Sequence, residues 1–145
     1  EFVYHVVIGP SFTHADELDA FASDTVLLYS KPKMANLMLK VDMAISACGS
    51  TIYELAASGV PTLGIVIANN QRQIASKMSD LALLKFAANV KDVAKMLSLY
   101  DYKLRYNMSR KAQRTFHCNG AVNAAENIKE LILSKTVLGT KNPVE

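Results

Sequence analysis

Apolar residues come in short runs, and each run ends at a cluster of small or polar residues. Val3 to Ile8 is β-branched and apolar and stops at Gly9-Pro10-Ser11, which predicts a buried strand. Asp16 and Glu17 after Thr13 mark the polar start of a helix reaching about Ala22. Thr25 to Tyr29 predicts a second strand, Ser30 to Lys33 a loop, and Met34 to Leu39 a short helix with apolar spacing. Met43 to Ala47 predicts a third strand. Thr51 to Ser58 predicts a helix stopped by Gly59, with Pro61 just beyond. Thr62 to Ile67 predicts a fourth strand, and Asn69-Asn70-Gln71 opens a longer helix to about Leu81. Leu84 to Ala87 completes a set of five strands, and from Lys91 the chain reads as helical with a break near Asn119-Gly120.

Short apolar strands alternating with helices imply an α/β fold: a doubly wound parallel sheet of about five strands, with helices on both faces and right-handed crossovers. The 145 residues, half of them hydrophobic, suit one domain over residues 1–139, with 140–145 a frayed tail. The abrupt start Glu1-Phe2-Val3 is read as a fragment of a longer protein, with a tag scar or processed terminus as the alternative.

Charge and cysteine content narrow the chemistry. A net charge of +3 is too small to argue for nucleic acid and is compatible with a small anion such as a phosphate ester. Lys103, Arg105, Arg110, Lys111 and Arg114 form a basic helix, read as a solvated face. The two cysteines, Cys48 and Cys118, form no CxxC pattern, and His5, His14 and His117 are scattered, so no metal signature and no cofactor is expected. Both thiols are read as packing residues and both His5 and His14 as histidines without an acid or nucleophile partner. No apolar run reaches membrane-spanning length, no signal peptide is present, and a reducing cytoplasm is the expected location; the sequence decides nothing about membrane contact.

In an open parallel sheet, ligands sit at the carboxyl ends of the strands. Gly49-Ser50-Thr51 follows the third strand and opens a helix, where free N–H groups and the positive helix end favour an anion, and a diphosphate is the natural guest. Glu54, one turn on, can accept bonds from two neighbouring ribose hydroxyls. The same Thr51-x-x-Glu54 spacing also reads as a capping box. Gly9-Pro10-Ser11 is a second phosphate-loop candidate or a plain turn, with Pro10 lacking an N–H. Asn69 to Gln71 offers amides to sugar hydroxyls or a helix cap.

Val41 to Gln71, "VDMAISACGSTIYELAASGVPTLGIVIANNQ", resembles the nucleotide-binding C-terminal half of B-type glycosyltransferase-like proteins. Within that group it looks most like the UDP-sugar hydrolases of pseudaminic acid biosynthesis and the spore-coat polysaccharide proteins. Asn70-Gln71 matches the family's Asn-Gln element, and Asn119-Gly120-Ala121 is similar to its late Asp-Gly-x-Gly-Ala segment. The resemblance implies a UDP-sugar clamp: Ser50 and Thr51, with Gly49, on the pyrophosphate; Glu54 on the ribose; Lys33 and Met34 over the uracil; Asn70 and Gln71 facing the sugar; Gly9 and Ser11 lining the cleft. It also implies an N-terminal partner domain that carries the catalytic histidine, so this chain is expected to be inactive alone. The expected role is in surface polysaccharide or nonulosonic acid biosynthesis, with nucleotide-sugar hydrolysis favoured. A transferase donor domain and a non-catalytic nucleotide-sugar or interaction module are the alternatives.

Overall fold

The computed structural model describes residues 2–138, so the tail expected at 140–145 lies outside the described residues. The chain is α/β, with all the strand pairing between named strands parallel, and it divides into two compact units at Asp42/Met43. All five strands foreseen in the pattern are present; hydrogen bonding joins them as a pair and a triplet.

The first unit contains β1 (Tyr4–Val7), α1 (Ala15–Asp19), β2 (Val26–Tyr29) and α2 (Met34–Met38). β1 and β2 run parallel, with Tyr4 opposite Val26 and Val7 opposite Tyr29. The expected buried strand is not buried: Tyr4 and Val7 are exposed and His5 and Val6 half-buried. Among the described residues β1 hydrogen-bonds to one strand only, β2, and apolar composition alone does not supply a covering layer. His5 is tied to its neighbour strand, with Nδ1 2.9 Å from the Tyr29 hydroxyl and the rings stacked 5.6 Å apart.

The second unit contains β3 (Ala44–Ala47), α3 (Thr51–Ala57), β4 (Thr62–Ile65), α4 (Arg72–Asp80), β5 (Leu84–Ala87), α5 (Val93–Leu97), α6 (Tyr102–Thr115) and α7 (Gly120–Leu138). A 3₁₀ turn at Asn69–Gln71 precedes α4, where one continuous helix was foreseen, and another at Val90–Asp92 precedes α5. The sheet order is β3-β4-β5. β4 is central, and Thr62, Leu63 and Gly64 are buried, as a strand covered on both faces requires. Its core joins Ile52 and Ala56 of α3, Leu63, Leu84, Met78 of α4, and Met108 and Ala112 of α6.

Local signals set the helix ends. Gly59 has φ +71°, its N–H donates to Ala56 O, and the Val60 N–H donates to Leu55 O at 2.8 Å, so α3 ends in a Schellman turn that needs the left-handed conformation. Asp101 caps α6 by accepting the Leu104 N–H at 2.7 Å. The basic residues of α6 are solvated as expected, apart from Arg105, half-buried with Nη1 3.4 Å from Tyr100 O.

Tyr100 pins two strands from the chain between α5 and α6. Its hydroxyl donates to Thr62 O at 2.7 Å and accepts the Lys85 N–H at 3.3 Å, and the residue is 4% exposed. Burial pushes its pKa from 10 up to about 12. The folded state therefore holds this proton more tightly than the unfolded chain. The associated stability is complete below pH 10 and falls as pH rises through about 12. At about 1.4 kcal/mol per unit, the loss is about 2–3 kcal/mol. Denaturant titrations from pH 9 to 12 should show this slope in the native chain. In Tyr100→Phe the slope should be shallower, with a neutral-pH loss of about 1–2 kcal/mol from the missing hydrogen bonds.

Candidate functional site

β3 and β4 are parallel neighbours with Ala47 opposite Ile65, so the segments that follow them leave the same edge of the sheet. One is Cys48 to Ser50, running into α3; the other holds the 3₁₀ turn at Asn69–Gln71. Cys48 is fully buried, and that burial raises its thiol pKa, which fits a packing role. Its N–H donates to Ile65 O at 3.0 Å, locking the start of the turn to β4. Beyond it, no acceptor among the described residues takes the N–H groups of Gly49, Ser50 or Thr51. A Cβ built on Gly49 would meet nothing within 4 Å, so the space above this backbone is open.

The capping box does not form. Ser50, not Thr51, occupies the N-cap, with helical φ −61° and ψ −29°, and its side chain makes no capping bond. Thr51 is the first residue inside the helix, which shifts the register that the spacing suggested by one. Glu54 does not turn back on the helix: the residue is exposed, and no hydrogen bond or ion pair engages its carboxylate among the described residues. The hydroxyls of Ser50 and Thr51 are likewise unengaged.

Ser50, Tyr53, Glu54 and Ala57 follow at three- and four-residue spacings and share one face of α3. Along that face lies an open groove of about 410 Å³. Its near wall is Tyr53, Glu54 and Ala57, and its far wall is the elbow from Thr115 to Asn123 between α6 and α7. The Phe116 ring meets Tyr53 edge-on, with centroids 6.1 Å apart. The groove thus brings Glu54 beside Asn119 and Gly120, two segments more than 60 residues apart in the chain.

Two expectations change here. Cys118 is not a packing residue: it is exposed, lines the groove and has φ +55°, because the chain must turn sharply between the end of α6 and the start of α7. His14 does have an acid neighbour, with Nδ1 2.9 Å from Glu17 Oε1, and both side chains are exposed.

The remaining foreseen residues fall into two sets. Asn70 is exposed, while Gln71 Oε1 accepts the Ile67 N–H at 3.1 Å, so part of that amide serves its own loop. Gly9, Ser11, Lys33 and Met34 belong to the first unit. Gly9 O accepts the Phe12 N–H at 3.1 Å in a turn, with Ser11 exposed, and Lys33 is the N-cap of α2 with Met34 its half-buried first residue. The groove residues Tyr53, Phe116, His117 and Asn123 were not foreseen. The break at Asn119-Gly120 was their only mark in the sequence.

Among the described residues no cluster of three or more histidine, cysteine or acidic side chains could hold a metal, and no helix is long and apolar enough to cross a membrane. No model of a known protein family matches the chain, and no curated protein sequence matches it.

Proposed function

We propose that the chain is the UDP-sugar-binding half of a two-domain, B-type glycosyltransferase-like enzyme with a doubly wound, Rossmann-like fold. The observation that carries the reading is the unengaged Glu54 carboxylate on the same helix face as Ser50, one turn beyond three free N–H groups. The turn at Gly49 to Thr51 supplies donors to a diphosphate. Glu54, set back along the helix, supplies acceptors to ribose hydroxyls and would repel the phosphates if the order were reversed. Asn70 and the free amide nitrogen of Gln71 lie beyond the neighbouring strand, where a diphosphate-linked sugar would extend.

Hydrolysis of the nucleotide sugar is the favoured reaction, in surface polysaccharide or nonulosonic acid biosynthesis, with the catalytic groups on an N-terminal partner domain. Its support is the look of Gly49-Ser50-Thr51 and Asn119-Gly120-Ala121.

The chain should bind UDP with millimolar to high-micromolar affinity, about 4–6 kcal/mol, because one domain supplies part of the contacts. NMR titration should move the amides of residues 49–54 with UDP and less with ADP. Equal responses to both nucleotides would remove the uridine assignment, and silence at 49–54 would remove the nucleotide reading.

A further inference from the structure

The groove beside α3 has a second wall that the nucleotide reading leaves without a task. Its volume of about 410 Å³ lies at the small end of the range for small-molecule sites, enough for a sugar or nucleoside and far too little for a folded partner. Among the described residues Glu54 is the one side chain with a fixed charge along it, so the groove disfavours a second anion. Asn119 and Asn123, at the start of α7, each bring an amide with donors and an acceptor, and neither side chain is hydrogen-bonded among the described residues. Their backbones are joined instead, Asn119 O accepting the Asn123 N–H at 3.0 Å. Tyr53 is 42% exposed and is steadied by Phe116, which gives an apolar flank with a firm position.

A carboxylate facing two amides beside an aromatic ring suits one ligand class: an uncharged ring with neighbouring hydroxyls. Each hydroxyl can donate to Glu54 while accepting from an asparagine amide, and the C–H face of the ring can lie on the aromatic flank. A phosphate satisfies the amides but not Glu54; an aliphatic ligand satisfies Tyr53 but leaves the carboxylate and both amides unpaired.

We propose that the α6–α7 elbow is the second jaw of the site, with Asn119 and Asn123 binding a hydroxylated ring that Glu54 holds from the opposite side and Tyr53 flanks. The identification of that ring as the ribose of a nucleotide rests on the reading above; the hydroxyl specificity does not.

Amide shifts on the 145-residue chain test it with three probes: UDP, inorganic pyrophosphate and D-ribose. UDP should move residues 49–54 together with 117–123. Pyrophosphate should move 49–51 alone, and ribose should move Tyr53 and Glu54 together with 117–123. Asn123→Ala, at an exposed position, should melt as the native chain does, lose about tenfold in UDP affinity and keep its pyrophosphate response. UDP shifts at 49–54 with a silent elbow, or an Asn123→Ala chain that binds UDP normally, would overturn this inference and leave the nucleotide reading in place. Ribose shifts at Glu54 and the elbow without any UDP response at 49–51 would do the reverse. Silence to all three probes would overturn both.

Discussion

Gly64→Ala should destabilise the second unit by about 3 kcal/mol, the upper part of the range for overpacked cores. A Cβ at position 64 would stand 2.5 Å from the Cys48 sulfur, far inside contact distance, with Phe86 Cβ at 3.4 Å and Leu84 Cδ1 at 3.5 Å. None of these can yield easily. Cys48 and Leu84 are buried to 0% and 1% exposure, and Gly64 lies on the central strand, paired with Ser46 on one side and Phe86 on the other. The cause can be isolated with a double-mutant cycle. Cys48→Ala removes the sulfur and on its own leaves a small cavity costing about 1–2 kcal/mol. Against that background the new methyl group occupies the vacated space, so the double variant should be more stable than Gly64→Ala, with a coupling of about 2 kcal/mol. Urea denaturation of the four proteins gives the answer. Additive losses would mean that the methyl group strains something other than Cys48. Because Cys48 leads directly into Gly49, the same cycle also asks how firmly the core fixes the candidate ligand turn.

The fate of Gly64 shows where sequence patterning stops. Runs such as Thr62 to Ile67 carry their period openly, and the existence and kind of nearly every element follow from it. Leu84–Ala87 matches residue for residue. Strand pairing is different in nature. It joins segments about 20 residues apart, and nothing local in Val3 to Ile8 or Met43 to Ala47 says that the strands associate as a pair and a triplet. Burial is non-local for the same reason. Val122, Ile128 and Leu131 of α7 are 58%, 58% and 62% exposed, although their residue types belong in cores. The ligand turn was legible because its chemistry is contiguous: glycine, two hydroxyls and a carboxylate within six residues. The helix start at Thr51 was legible as well; what was not is that Ser50, with helical dihedrals, takes the cap position that the Thr51-x-x-Glu54 spacing offered to Thr51. Of the far wall of the groove only the Asn119-Gly120 segment was marked in the sequence. Tyr53 and Asn123 are ordinary helix residues until the α6–α7 elbow folds back beside α3.

Glu54→Gln separates binding from folding at that turn, and the affinity effect should be large. A carboxylate accepting from two hydroxyls contributes on the order of 1.5–3 kcal/mol through charge-assisted hydrogen bonds, so UDP affinity should fall by between ten- and a hundredfold. Glutamine keeps the length and one acceptor oxygen, so the loss measures charge and the second acceptor rather than shape. Stability should stay within about 0.5 kcal/mol of the native chain, because the Glu54 side chain is exposed and its carboxylate engages no group among the described residues. Its one structural contribution is a carboxylate in the first turn of α3, a favourable dipole interaction that is small at an exposed site. The two measurements move in opposite directions for a helix-capping role: thermal stability would fall by about 1 kcal/mol and UDP affinity would stay. Glu54→Asp is the informative companion. It retains the charge but draws the oxygens back by one methylene, so a ribose clamp should lose most of its affinity even though the electrostatic field at the turn is nearly unchanged. Equal UDP binding by all three chains, with melting temperatures in register, would remove Glu54 from the site and with it the main support for a nucleotide-sugar ligand.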